Sequence, residues 1–173
     1  QAEHGKDSQV VFLTLDEALI EPVKQEINRQ LTLISRKTIA EAALKNSLII
    51  LADSKSKALS FSNAYAPEHL ILQVKKPKSW LAGITNAGSV FLGPWFPESA
   101  GDYASGTNHT LPTGGYAKNV SGVSMDFFMK KMTVQELSKQ GLKNLQPTIE
   151  TLAEAEGLLA HRNAVSIRFD KNL

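Results

Sequence analysis

The chain has 173 residues, 42% hydrophobic and 21% charged, the balance of an ordinary globular protein with enough length to bury one core. Its formal net charge is +2, with Lys and Arg interspersed among Asp and Glu, so the basic stripe of a nucleic-acid-binding surface is missing and no nucleic-acid partner is expected. The absence of Cys excludes disulfides, thiolate nucleophiles and thiolate metal sites together, and leaves any metal to His and oxygen ligands.

The predicted elements begin with a β-branched and aromatic run, "SQVVFLTL" (8–15), which reads as a buried strand. Ile20, Val23, Ile27, Leu31 and Ile34 then recur at helical spacing, with Pro22 in a first turn or at a kink. Ile39, Ala40, Ala43 and Leu44 continue as a second helical stretch. "SLIILAD" (47–53) is a second strand, and "SKSKALSFSNAYA" (54–66) a helix capped by Ser54 or Ser56. "HLILQV" (69–74) and "GSVFLG" (88–93) are further strands, separated by a short helix over "PKSWLAGI" (77–84) with Pro at its first position. Runs such as "SLIILA" fall far short of the ~20 apolar residues that span a bilayer, so no membrane partner is expected. No basic-then-apolar leader precedes the first strand, and we expect a cytosolic or organelle-matrix protein, or a piece of one.

Strands alternating with helices at these lengths predict an α/β fold, a partial Rossmann-like layer with a mainly parallel sheet. From Gly93 to Gly122 the chain is rich in Gly, Pro, Ser, Thr and Asn without periodicity, and a loop that long is usually functional. Thr133 and Glu136 read as a capping box for a short helix. "QPTIETLAEAEGLLAHRNAVSIR" predicts one or two helices with Pro147 near the start and a break at Gly157. Its apolar face, Ile149, Leu152, Leu159 and Val165, offers little core of its own, so this helical C-terminal tail is expected to dock elsewhere, on a second copy of the chain for example. The expected division is residues 1–125 and 126–173.

The four histidines each lie near a carboxylate or amide. Glu68-His69 follows Pro67 and opens a strand, where it is either a surface pair at a helix-to-strand turn or an acid/base pair, since imidazole titrates near neutrality. Asp102 and His109 sit seven residues apart in the Gly-rich loop, as a zinc ligand pair or as a hydrogen-bonded clasp. The flanking Trp95, Phe96 and Tyr103 read as packing residues. His161 lies five residues after Glu156 and is either a helix-end residue or a ligand. Gln1 and His4 have the i, i+3 spacing that places two side chains on one face of a helical turn, or they fray with the terminus. Together these residues suggest a His- and oxygen-ligated metal site with a Glu-His pair nearby, or an α/β binding or assembly domain without catalysis.

The strings "QAEHGKDSQ", "NAYAPEHL", "AGSVFLGPWFPESAGDYASGTNHTLPTGGYA", "MTVQELSKQGL" and "TLAEAEGLLAHRNAVSIR" resemble, in the same order, segments of histidinol dehydrogenase. The resemblance covers essentially the whole chain, whereas that family's chain is more than twice as long, so the chain looks like its C-terminal part. It implies a homodimeric enzyme of histidine biosynthesis that oxidises L-histidinol through histidinaldehyde to L-histidine with zinc (Zn2+) and two NAD. The location implied is the cytoplasm, or the plastid stroma in a plant or alga. By the same resemblance Gln1, His4, Asp102 and His161 match zinc ligands, Glu68 and His69 the catalytic acid/base pair, and Glu156 a substrate-holding residue. His109 matches a pocket position, and Gln1, His4, His69, Asp102 and His161 also face the substrate. The tail with Glu156 and His161 is implied to complete the neighbouring subunit's site. "PTGGYA" (112–117) lacks the spacing and setting of a dinucleotide loop, so no NAD-binding residue is expected in this chain. The rival expectation is a catalytically incomplete fragment with a structural or dimerisation role.

Overall fold

The computed structural model describes residues 1–170, and the last three residues of the expected tail, 171–173, lie outside them. The chain divides into two compact units, Gln1–Phe128 and Met129–Leu173. The first is mixed α/β and the second is helical.

Strand β1 (Val11–Thr14) pairs in parallel with β2 (Leu48–Leu51), Val11 opposite Leu48. Buried Thr14 ends β1 because its hydroxyl accepts from the Asp16 amide at 3.0 Å, and Asp16 in turn caps a 3-10 turn over Glu17–Leu19. Helices α1 (Ile20–Leu31) and α2 (Lys37–Leu44) make the crossover that parallel pairing requires. Pro22 falls in the first turn of α1, where its missing N–H costs nothing. The helix stops before Ile34, and α2 buries Ala40 and Ala43.

Helix α3 (Lys55–Tyr65) starts at Ser54, whose hydroxyl accepts from the Lys57 amide at 3.2 Å. Strand β3 (His69–Leu72) pairs in parallel with β4 (Ser89–Leu92), His69 opposite Ser89. The connection is a 3-10 helix, Pro77–Gly83. Asn63 of α3 clips that connection, donating to the Gly83 carbonyl at 2.8 Å and accepting from the Thr85 amide at 2.9 Å. All four expected strands therefore form, but as two separate two-stranded sheets instead of one layer. Each pair leaves both outer edges unpaired among the described residues, with four residues per strand in each ladder.

The Gly/Pro-rich stretch is not structureless. It contains helix α4 (Glu98–Tyr103) and a 3-10 turn at Tyr116–Lys118. The core is small and alanine-rich, Ala40, Ala43, Ala52, Ala58 and Ala66 joined by Leu72 and Phe91.

In the second unit, α5 (Lys139–Ala155) packs on α6 (Leu159–Ser166), burying Ala153 and Val165. Ser166 donates from its hydroxyl to Glu150 at 2.5 Å and clips the two helices together. Gly157, at φ +72, makes the expected break. Two expectations are corrected. Thr133 and Glu136 cap nothing, since residues 129–138 carry no helix and Ser138 is the N-cap, accepting from the Gly141 amide at 3.0 Å. Pro147 lies inside α5, not near its start; the carbonyl it deprives of a partner belongs to exposed Lys143, where water can pair it.

Candidate active site

The site is built where α3 ends. Ala66 caps that helix in the left-handed region at φ +54 and is 1% exposed, a conformation an alanine holds only when its surroundings enforce it. Pro67 prevents further helix, and the chain turns directly into Glu68 and His69. The backbone there is pinned by Gly88 and Ser89, whose amides donate to the Pro67 carbonyl at 2.9 Å and the Glu68 carbonyl at 2.8 Å. Gly88 must be glycine for that approach, because a Cβ would stand 2.6 Å from the Glu68 carbonyl oxygen.

Phe91, two residues into β4 from Ser89, supplies the apolar floor. Its ring lies 5.8 Å from the His69 ring and 5.4 Å from Phe96. Helix α4 rests on the same ring through Gly101, where a Cβ would come within 2.6 Å of Phe91 Cε1. Glu98 and Asp102, four residues apart on α4, therefore share a face turned to His69. Glu98 Oε1 is 3.7 Å and Asp102 Oδ1 3.8 Å from His69 Nε2, and all three side chains are more than four-fifths buried. Those separations exceed hydrogen-bond length, and His69 Nε2 and Glu98 Oε1 are buried without a partner.

Burial raises the Glu98 carboxyl above its usual range, and the adjacent Asp102 raises it further by hydrogen bonding and charge. The charge of His69 and a hydrogen bond with the Gln1 side chain oppose that rise. Gln1 opens a turn closed by the His4 amide donating to the Gln1 carbonyl at 3.1 Å.

An imidazole nitrogen and two carboxylate oxygens within 4.8 Å of one another form a donor set suited to a divalent cation such as zinc. The partnerless Nε2 and Oε1 are an independent sign that this corner is built to meet something further, since an unpaired buried polar group costs about 1–3 kcal/mol. The residues present thus fit a bound metal.

Of the sequence-predicted residues, the structure brings together His69 and Asp102, while Gln1 is exposed. Glu68 adjoins His69 in sequence, but the ion pairs of His69 are to Glu98 and Asp102. The His4 side chain is exposed and its carbonyl accepts from Arg36 at 3.2 Å. His109 is exposed in its loop, and Glu156 and His161 are exposed in the second unit. Trp95 and Tyr103 do not pack as expected, being 92% and 84% exposed, whereas Phe96 does. Glu98 was not singled out from sequence. The available signal was a Pro-Glu helix start four residues before Asp102.

The structure thus defines a mixed α/β chain with a buried His-carboxylate corner that could hold a metal ion, followed by a helical hairpin. The histidinol dehydrogenase family model matches residues 1–169, and the chain belongs to that family. Histidinol dehydrogenase from Vibrio vulnificus strain YJ016 is 58% identical over 99% of this chain and 40% of its own length. The chloroplastic histidinol dehydrogenase of Arabidopsis thaliana is 53% identical over 97% of this chain and 36% of its own. A crystal structure of histidinol dehydrogenase from Elizabethkingia anophelis is similar with a TM-score of 0.92, 56% identity, and coverage of 96% of this chain and 39% of that one. The chain thus spans about 40% of the length of the curated relatives it matches.

Proposed function

We propose that the chain is the C-terminal portion of a zinc- and NAD-dependent histidinol dehydrogenase of histidine biosynthesis. The observation that carries this reading is the His69, Glu98 and Asp102 cluster with its partnerless buried atoms, in a chain that follows the family from residue 1 to 169. The activity is oxidation of L-histidinol to L-histidine through the aldehyde, with one water consumed and two NAD reduced. Asp102 and Gln1, with His4 and with His161 from a second copy, would hold zinc, which would supply positive charge to orient the substrate's nitrogens and oxygen.

His69 takes the alcohol proton as the adjacent carbon gives up hydride, leaving the aldehyde. Glu68 takes a proton from the water that adds to the aldehyde carbon, so that the hydrate can lose the second hydride. His109 and Glu156 hold the substrate, Glu156 pairing with its ammonium group. Phe91 and Phe96 keep the His69 side of the corner apolar, which strengthens each polar contact made there. Gly114 and Gly115 lead into a three-residue 3-10 turn, not into the strand-to-helix turn that cradles a pyrophosphate. We assign that site to residues of the family chain beyond this one.

The two parallel sheets belong, in this reading, to a larger Rossmann-like layer. Their unpaired edges support it, as does the recess of about 840 Å³ beside β1, β2, α1 and α2, walled by Phe12, Ile27, Leu31, Leu44 and Ile49. The enzyme is a homodimer in which residues 126–173 dock on the partner subunit. Met125, Phe127, Phe128, Met132 and Val134, 64–86% exposed, are the apolar surface that supports this. It works in a bacterial cytoplasm or a plastid stroma.

The test is NAD reduction with L-histidinol and zinc, measured for the complete protein that contains this chain and for the chain alone. Histidinol- and zinc-dependent turnover is expected of the complete protein only. Its absence there overturns the reading in favour of a dimerisation piece, and turnover by the chain alone overturns the assignment of the NAD site.

A further inference from the structure

The backbone that carries Glu68 and His69 is pinned by two amides from another segment, Gly88 and Ser89, donating to the Pro67 and Glu68 carbonyls at 2.9 and 2.8 Å. Residues 84–87, which lead into those amides, carry neither helix nor strand. They are held instead by one side chain of α3. Asn63 Nδ2 donates to the Gly83 carbonyl at 2.8 Å, and its Oδ1 accepts from the Thr85 amide at 2.9 Å and the Asn86 amide at 3.4 Å. Asn86 returns the contact, its Nδ2 donating at 2.9 Å to the Asn63 carbonyl, one of those that a helix end leaves without an intrahelical partner. Asn is a poor helix former, so propensity does not account for its place in the last turn of α3. Donating to a carbonyl while accepting from two amides needs an amide side chain, since a carboxylate cannot donate and an apolar group can do neither.

We propose that Asn63 is a positioning residue for the acid/base pair. It sets the register of residues 83–86 against α3 and so delivers the Gly88 and Ser89 amides to the backbone of Glu68 and His69. The proposal rests on the functional reading above and deepens it. A misplacement of about 1 Å caused by a change away from the reacting groups can cost about 100-fold in rate.

The test is NAD reduction with L-histidinol by the complete protein, with kcat expressed per bound zinc, together with amide exchange at Gly88 and Ser89. The variants are Asn63→Ala, Asn86→Ala and Lys55→Ala. Lys55 is the control, because its Nζ also ties α3 to the β3–β4 connection, at the Ser79 carbonyl at 2.8 Å, but ahead of the residues that lead to Gly88. Asn63→Ala should lower kcat per zinc about 10–100-fold and quicken exchange at Gly88 and Ser89. KM for L-histidinol should stay near the parent's, since the residues assigned to zinc and to the substrate's ammonium group lie on other elements. Asn86→Ala removes one bond of the four and should move both readouts the same way by a smaller factor; it carries the comparison if Asn63→Ala does not fold. Lys55→Ala should move neither. Partial unfolding alone lowers zinc content and rate together and leaves kcat per zinc at the parent's value, a result that overturns the proposal. So does unchanged exchange at Gly88 and Ser89, or a loss of kcat in Lys55→Ala as large as in Asn86→Ala. If the complete parent protein does not oxidise L-histidinol, the functional reading fails and takes this proposal with it; a parent that does, with both Asn variants at its kcat, fails this proposal alone.

Discussion

The β3–β4–α4 corner and the stretch from Met125 through α6 use apolar residues in opposite ways. At the corner Phe91 is 3% exposed and Leu72 7%, and they close around a His and two carboxylates. Along the second stretch Met125 is 74% exposed, Met132 83% and Leu152 60%, while the α5–α6 hairpin buries only Ala153 and Val165. The corner spends its apolar surface on seating polar groups inside one chain. The tail keeps its apolar surface outward, available to another surface. In the dimeric reading proposed above, the difference separates residues whose replacement is felt in the folded chain from those whose replacement is felt on assembly.

The largest effect expected is at His69. His69→Gln in the complete protein should lower kcat by about 10²–10⁴-fold in the histidinol assay, the range of a lost acid/base group. A loss under tenfold would remove His69 from proton transfer and level the corner with the tail. Next is Phe91→Ala, expected to cost about 3–5 kcal/mol in denaturant unfolding because it empties the floor under both His69 and α4. Leu152→Ala should cost the folded subunit under about 0.5 kcal/mol and instead weaken dimerisation, read by sedimentation. Equal stability losses in the two variants would show that the tail has a packed core after all.

Between those two lies Gly101→Ala. The added methyl meets Phe91 Cε1 at 2.6 Å, and relief of that overlap moves α4, at a cost of about 1–3 kcal/mol. Zinc affinity should fall in parallel, since Asp102 rides on the same helix. The pH dependence of the metal-free protein follows from Glu98, whose carboxyl is raised above its usual 4.5 by burial first and Asp102 second. The folded state holds this proton more tightly than the unfolded chain, so the associated stability is present below the unfolded value and lost as pH rises through the folded one. Glu98→Gln should therefore be more stable than the parent at neutral pH and no more stable below about pH 4. A difference that grows on acidification would reverse the sign and disprove the shift.

Strands at 11–14, 48–51, 69–72 and 89–92 lie within the runs that β-branching and turn residues mark out, and Ser54 and Gly157 punctuate helices as their chemistry requires. Helix α4 was not legible, because six residues around a central Gly show no periodicity and its place is decided by the Phe91 ring it lies on. Glu98 was hidden with it. In the tail the error ran the other way: Thr133 and Glu136 have capping-box spacing, but Val134 is 86% exposed and Leu137 57%, so no packed face rewards a helix there. The helix begins instead at Ser138, whose cap comes just before the face that packs on α6. Ser138→Ala should thus cost about 1 kcal/mol of tail stability, read as faster amide exchange over the first turn of α5. Thr133→Ala should leave that exchange unchanged, and a matching effect from Thr133 would restore the capping box at the expense of Ser138.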